Sequence, residues 1–112
     1  MYDRPRARVS DRSGRAGTPR AWPARYTFEP GARTNWHSHE GGQVIYIEQG
    51  RLRVQEKGKP TREFDPGATF HTDPGVTHWH GALPSGTLTQ VSLSFGTTTW
   101  MDRVSDADYA RR

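Results

Sequence analysis

Four histidines and one glutamine stand at spacings that could support chemistry: His37, His39, Gln43, His78 and His80. Side chains alternate between the two faces of a β-strand, so a His-x-His pair presents both imidazoles on one side and turns Ser38 away. Gln43 follows the Gly41-Gly42 break, where a chain reversal can bring its amide oxygen beside the two rings. His78 comes after Pro74-Gly75 on a later strand, and His80, two residues on, shares its face. His37, His39 and His78 together with the Gln43 amide oxygen form a donor set for one Mn, Fe, Ni, Zn or Co ion, with positions left for water or substrate. His80 then lies close to the metal without being needed as a ligand, where it can take or give a proton near neutral pH. Its alternative role is to orient a ligand or simply to pack in the barrel.

Such a set needs short strands from distant parts of the chain. In 112 residues, one domain's length, 12 Gly and 8 Pro punctuate a chain that is only 31% apolar, a pattern of many strands joined by tight turns. Strand-like segments run over residues 24–29, 33–39, 43–49, 51–56, 61–64, 68–72, 76–82 and 87–95, separated by turn signals such as Pro30-Gly31, Asp65-Pro66-Gly67 and Pro74-Gly75. About eight strands suit a small closed barrel or jelly roll, an all-β fold. Ser105-Asp106-Ala107-Asp108 places a capping hydroxyl and acidic groups at the start of a short C-terminal helix, which Trp100, Met101, Val104 and Tyr109 are expected to pin to the barrel. The expected divisions are a flexible basic arm over 1–20, the barrel over 21–98 and a C-terminal segment over 99–112.

The formal charge of +4 is a property of the N-terminus: residues 1–25 hold seven Arg against two Asp, and the remainder holds nine basic and ten acidic residues. Such an arm favours a solvated or strand-exchanging segment over a nucleic-acid contact. Without cysteine, neither a disulfide nor a thiolate metal site can form. No apolar run is long enough to span a bilayer and no secretory signal is visible, so a cytoplasmic protein without membrane or nucleic-acid partners is expected.

The combination of Gly31, His37, His39, Gln43 and Gly50 resembles the first motif of the cupin superfamily, with Gln where most cupins carry Glu. Gly67, Gly75 and His78 resemble the second, with Asp73 in the usual Pro place and Pro74 after it. A closer resemblance is to the small cupins that include manganese-dependent hydroxynitrile lyases, in which a His, His, Gln, His metal set is followed by a stretch like His78-Trp79-His80-Gly81. Segments similar to residues 28–34 and 100–109 also occur there. At Gln90 the chain departs, since those lyases carry a further active-site histidine at that place.

The resemblance implies a double-stranded β-helix barrel, one divalent ion per chain with manganese foremost, and a homodimer. Gln in place of Glu leaves the ion its full double charge, which strengthens it as a Lewis acid toward a carbonyl or alkoxide oxygen. With His80 as proton-transfer residue, the pairing suits lyase or isomerase chemistry, and a metal-dependent lyase or related non-redox enzyme acting on a small carbonyl, hydroxyl or nitrile compound is expected. An iron-dependent dioxygenase, a metal-dependent small-ligand binder and a metal-free structural cupin are the alternatives. Tyr26 and Phe28, on one strand face, are expected to wall the pocket, and Gln90 either reaches a substrate or is a satisfied barrel amide. His71 reads as structural or exposed. Trp36 and Trp79 point away from the ligands, toward packing between sheets or against a second subunit, and Val44, Tyr46 and Val91 point outward toward the partner of a dimer.

Overall fold

The computed structural model describes residues 7–12 and 21–111, with side chains from Pro23 onward. These residues form β1 (Ala7–Arg12), β2 (Ala21–Phe28), β3 (His37–His39), β4 (Gln43–Gln49), β5 (Leu52–Glu56), β6 (Arg62–Phe64), β7 (Thr69–Thr72), β8 (His78–Ala82), β9 (Leu88–Phe95), β10 (Thr98–Trp100) and the helix α1 (Asp106–Tyr109). Two five-stranded antiparallel sheets, ordered β1-β2-β9-β4-β7 and β10-β3-β8-β5-β6, face each other as a jelly-roll barrel. No helix among the described residues is long and apolar enough to cross a membrane.

Alternation along β4 shows how the sequence builds a wall. Gln43, Ile45 and Ile47 are buried, while Val44, Tyr46 and Glu48 turn toward the outside, as a period of two requires. The strand ends at Gly50, whose φ is +77° and where a Cβ would lie 1.9 Å from the Thr87 carbonyl oxygen, so only glycine lets the chain turn there.

The interior is divided. One end is filled by an apolar cluster of Phe28, Ile45, Ile47, Leu52, Val54, Phe70 and Leu88. The other holds buried polar groups: His37, His39, Gln43, His78, His80, Gln90, Ser92 and Ser94. Burying polar groups opposes folding unless they find partners, so this end is where function is to be sought.

Three differences from the sequence reading have physical causes. The arm expected over 1–20 includes a strand, since β1 pairs with β2 and covers the edge of its sheet; strand pairing uses backbone groups and needs no apolar periodicity. The remainder of that arm lies outside the described residues. The strand expected over 33–39 is regular only at 37–39, because Arg33 bridges Gly81 and Trp36 exchanges backbone hydrogen bonds with Met101 and Asp102. Beyond residue 95 the chain adds β10, which pairs with β3.

Ser105 caps α1, accepting a hydrogen bond from Asp108 N at 3.0 Å. Val104 and Tyr109 bury themselves against Trp36 and Trp79 on the outer face of the second sheet. The two tryptophans therefore pack on the chain's own C-terminal segment. Arg33 and Arg53 stack on the Tyr109 ring at 4.3 and 5.0 Å, and the Tyr109 hydroxyl donates to the Ala82 carbonyl. Trp100 and Met101 take no part in that cluster: at 39% and 38% exposure they lie at the surface, because β10 carries Trp100 to the mouth of the polar end.

Candidate metal centre

His37 and His39 point inward from β3 with Ser38 between them, in the buried–intermediate–buried pattern of a strand. His78 is the direct cross-strand partner of His37, and His80 follows two residues later on β8, where every residue is buried. The four rings make one cluster, with centroid separations from His37 of 4.9 Å to His39, 4.4 Å to His78 and 5.3 Å to His80. One ring nitrogen each from His37, His78 and His80 lies within 4.8 Å of the others, a placement able to hold a metal ion.

Hydrogen bonds to the outer nitrogens orient three of the rings. His37 Nδ1 donates to the Asn35 carbonyl at 2.8 Å, His78 Nδ1 donates to the Val76 carbonyl at 3.1 Å, and His39 Nδ1 lies 3.0 Å from Thr98 Oγ1. A neutral imidazole has one N–H, so His37 and His78 keep bare lone pairs on Nε2. Gln43 donates from Nε2 to Ser94 Oγ at 3.0 Å, which turns its Oε1 toward His78 Nε2 at 3.1 Å. Two acceptors thus face each other with no proton to share, and His39 Nε2 is buried without a partner. Converging lone pairs of this kind suit a cation, and outward Nδ1 anchoring is the usual support of metal-binding histidine. His80 differs, because its Nδ1 is buried with no hydrogen bond.

Electrostatics agree with a neutral, metal-ready cluster. Burial, reinforced by repulsion from His78, pulls His37 well below the ordinary histidine value and lowers His39 to about 4. Burial likewise lowers His78, and burial plus repulsion from the other three rings holds His80 well below. At neutral pH all four rings are unprotonated, as metal binding requires.

A cavity of about 120 Å³ opens from this cluster, lined by Tyr26, Thr34, His37, His39, His80 and Trp100, among others. Trp100 lies against His37, ring centroids 4.6 Å apart. Tyr26 lines the cavity as expected of a pocket wall. Phe28 does not; it is fully buried in the apolar cluster with its ring 5.9 Å from that of His80. Gln90 is also fully buried and outside the cavity lining, and its side chain bears on His80. His71 is exposed, 3.6 Å from Asp73.

Sequence reasoning missed Asn35, Thr98, Ser94 and Trp100. Ser92 and Ser94 carried a signal: they share the parity of Gln90 on β9, so the polar side of that strand faces inward while Val91 and Leu93 face outward.

Residues 24–91 match the family model for the cupin domain. Over 92 residues the chain is 39% identical to the (R)-mandelonitrile lyase of Granulicella tundricola, covering 79% of this chain and 70% of that protein. Among solved structures, a cupin-like protein of Thermotoga maritima superimposes with a TM-score of 0.82 at 34% identity, covering 92% of this chain and 80% of the other. A cupin superfamily protein of Desulfitobacterium hafniense gives a TM-score of 0.69 at 12% identity, covering 83% and 80%, a likeness of fold alone.

Proposed function

The chain belongs to the cupin family, and from that premise we propose that it is a divalent-metal-dependent lyase acting on a small hydroxyl or carbonyl compound of the cyanohydrin type. His37, His39, Gln43 and His78 hold one ion, manganese foremost, and His80 transfers the proton. The observation that carries this reading is the convergence of acceptor atoms that have no proton between them, behind rings anchored through Nδ1. The family resemblance and the mandelonitrile lyase relative support the lyase assignment.

A divalent ion bound there supplies Lewis acidity toward the substrate's oxygen. The neutral His80 accepts the hydroxyl proton as the carbonyl forms. The bond to the nitrile carbon breaks, its electron pair leaves with cyanide, and the proton returns from His80 to the leaving group. Tyr26 and Trp100 provide apolar surface for the organic group, while the buried hydroxyl of Thr34 accepts from the His80 backbone N–H at 3.3 Å and holds that residue in place. A 120 Å³ cavity is somewhat smaller than the roughly 150 Å³ that takes up a benzene molecule, which restricts substrates to small compounds that can extend through the mouth.

The test is mandelonitrile cleavage by manganese-loaded protein, followed as aldehyde release. Release above the rate without protein, abolished by chelation, is expected. Failure to cleave mandelonitrile or a smaller aliphatic cyanohydrin with the metal in place would sink the lyase reading. We also propose a homodimer, supported by the outer face of the first sheet, where Val44 pairs with Leu93 and Tyr46 with Val91 to make one apolar patch.

A further inference from the structure

A glutamine where a carboxylate could stand creates a problem of orientation. A carboxylate presents an oxygen at either end, whereas an amide has one accepting oxygen and an NH2 group that only donates. Gln43 is buried, so it can offer Oε1 to an ion only if its NH2 turns away into an interior that must supply an acceptor. The strand register supplies one. Gln43 pairs directly with Ser94 on β9 and with Thr72 on β7, and all three residues are buried. Gln43 Nε2 donates to Ser94 Oγ at 3.0 Å, and Oε1 then lies 3.1 Å from His78 Nε2, among the converging ring nitrogens. Thr72 does not share the task, since its buried hydroxyl makes no hydrogen bond.

We propose that Ser94 is a positioning residue for the metal centre: by receiving the Gln43 NH2 it holds the amide oxygen toward the ion. A hydroxyl both donates and accepts, and because Ser94 lines the cavity its proton can turn outward while a lone pair takes the amide. Without that hydroxyl, the amide with its oxygen inward leaves a buried donor unpaired. Turned over, it aims the NH2 at the bare His78 Nε2 and occupies the lone pair that an ion needs. Ser94 therefore acts on metal affinity through Gln43, a role that rests on Gln43 being a ligand.

Calorimetric titration of Mn²⁺ into the metal-stripped full chain reads this effect without any substrate, so the lyase assignment stands or falls separately. Ser94→Ala should raise the Mn²⁺ dissociation constant about tenfold or more, the consequence of one unpaired buried donor. Ser94→Thr, which keeps the hydroxyl, should stay near the wild type. In a Gln43→Glu background the same Ser94→Ala change should have much less effect, because a carboxylate turns an oxygen to the ion either way up. Should Ser94→Ala fail to fold, Ser94→Cys, whose thiol accepts only weakly, takes its place. An unchanged dissociation constant in Ser94→Ala, or an equal loss in both backgrounds, would overturn the proposal. Gln43→Ala binding Mn²⁺ as tightly as the wild type would overturn it through its premise, and a wild type that takes up no ion would overturn it together with the metal centre.

Discussion

His37, His39 and His78 each commit Nδ1 to a group behind the ring, and His80 does not. His80 lies as near His37 and His78 as a ligand would, and its assignment as proton carrier rests on His37, His39, His78 and Gln43 completing a donor set without it. His80→Ala should therefore keep its metal while turnover falls about a hundredfold or more, the contribution of a positioned acid or base. Metal analysis beside an activity assay checks this, and metal loss in that variant would make His80 a ligand. The ligand candidates were legible in the sequence because strand alternation alone puts residues 37 and 39, or 78 and 80, on one face. Their supports were not. Thr98 reaches His39 from 59 positions away and Ser94 reaches Gln43 from 51, and such pairings depend on cross-strand register that no local pattern encodes.

The strands holding the histidines are kept in place by close backbone contact. Gly81 sits where an added Cβ would come within 2.2 Å of the Ala32 carbonyl oxygen and 2.6 Å of Arg33 Cα, directly after His80. Gly81→Ala must push β8 away from residues 32–33, costing about 1–3 kcal/mol in unfolding free energy and lowering metal occupancy, both measurable on the purified variant. Unchanged stability and metal content would show that the contact is relieved without moving β8. Strand β4 could be read to its ends, because its alternation is regular and glycine flanks it on both sides. Strand β10 could not, since three residues carry too little pattern. Nor could Arg33 and Arg53 be placed: charged residues are rarely buried without pairing, and the Tyr109 ring and the carboxylates of Asp106 and Glu63 that receive them come from elsewhere in the chain.

Across the whole molecule, the barrel separates an apolar end that stabilises it from a polar end that would be costly to bury without a ligand. The expected jelly roll followed from strand count and the two glycine-histidine motifs, whereas subunit association depends on a surface that the sequence shows only as outward-facing Val44, Tyr46 and Val91. Tyr46 and Leu93, 45% and 37% exposed, leave that surface uncovered in the single chain. Sedimentation should give a dimer for the wild type and a monomer for Tyr46→Lys, and a wild-type monomer at micromolar concentration would refute the dimer. The most direct test of the metal centre is elemental analysis of untagged protein alongside His37→Ala/His78→Ala. One divalent ion per chain is expected in the wild type and none in the double variant, because two remaining donors cannot hold the ion tightly; full occupancy in the double variant would contradict the assignment.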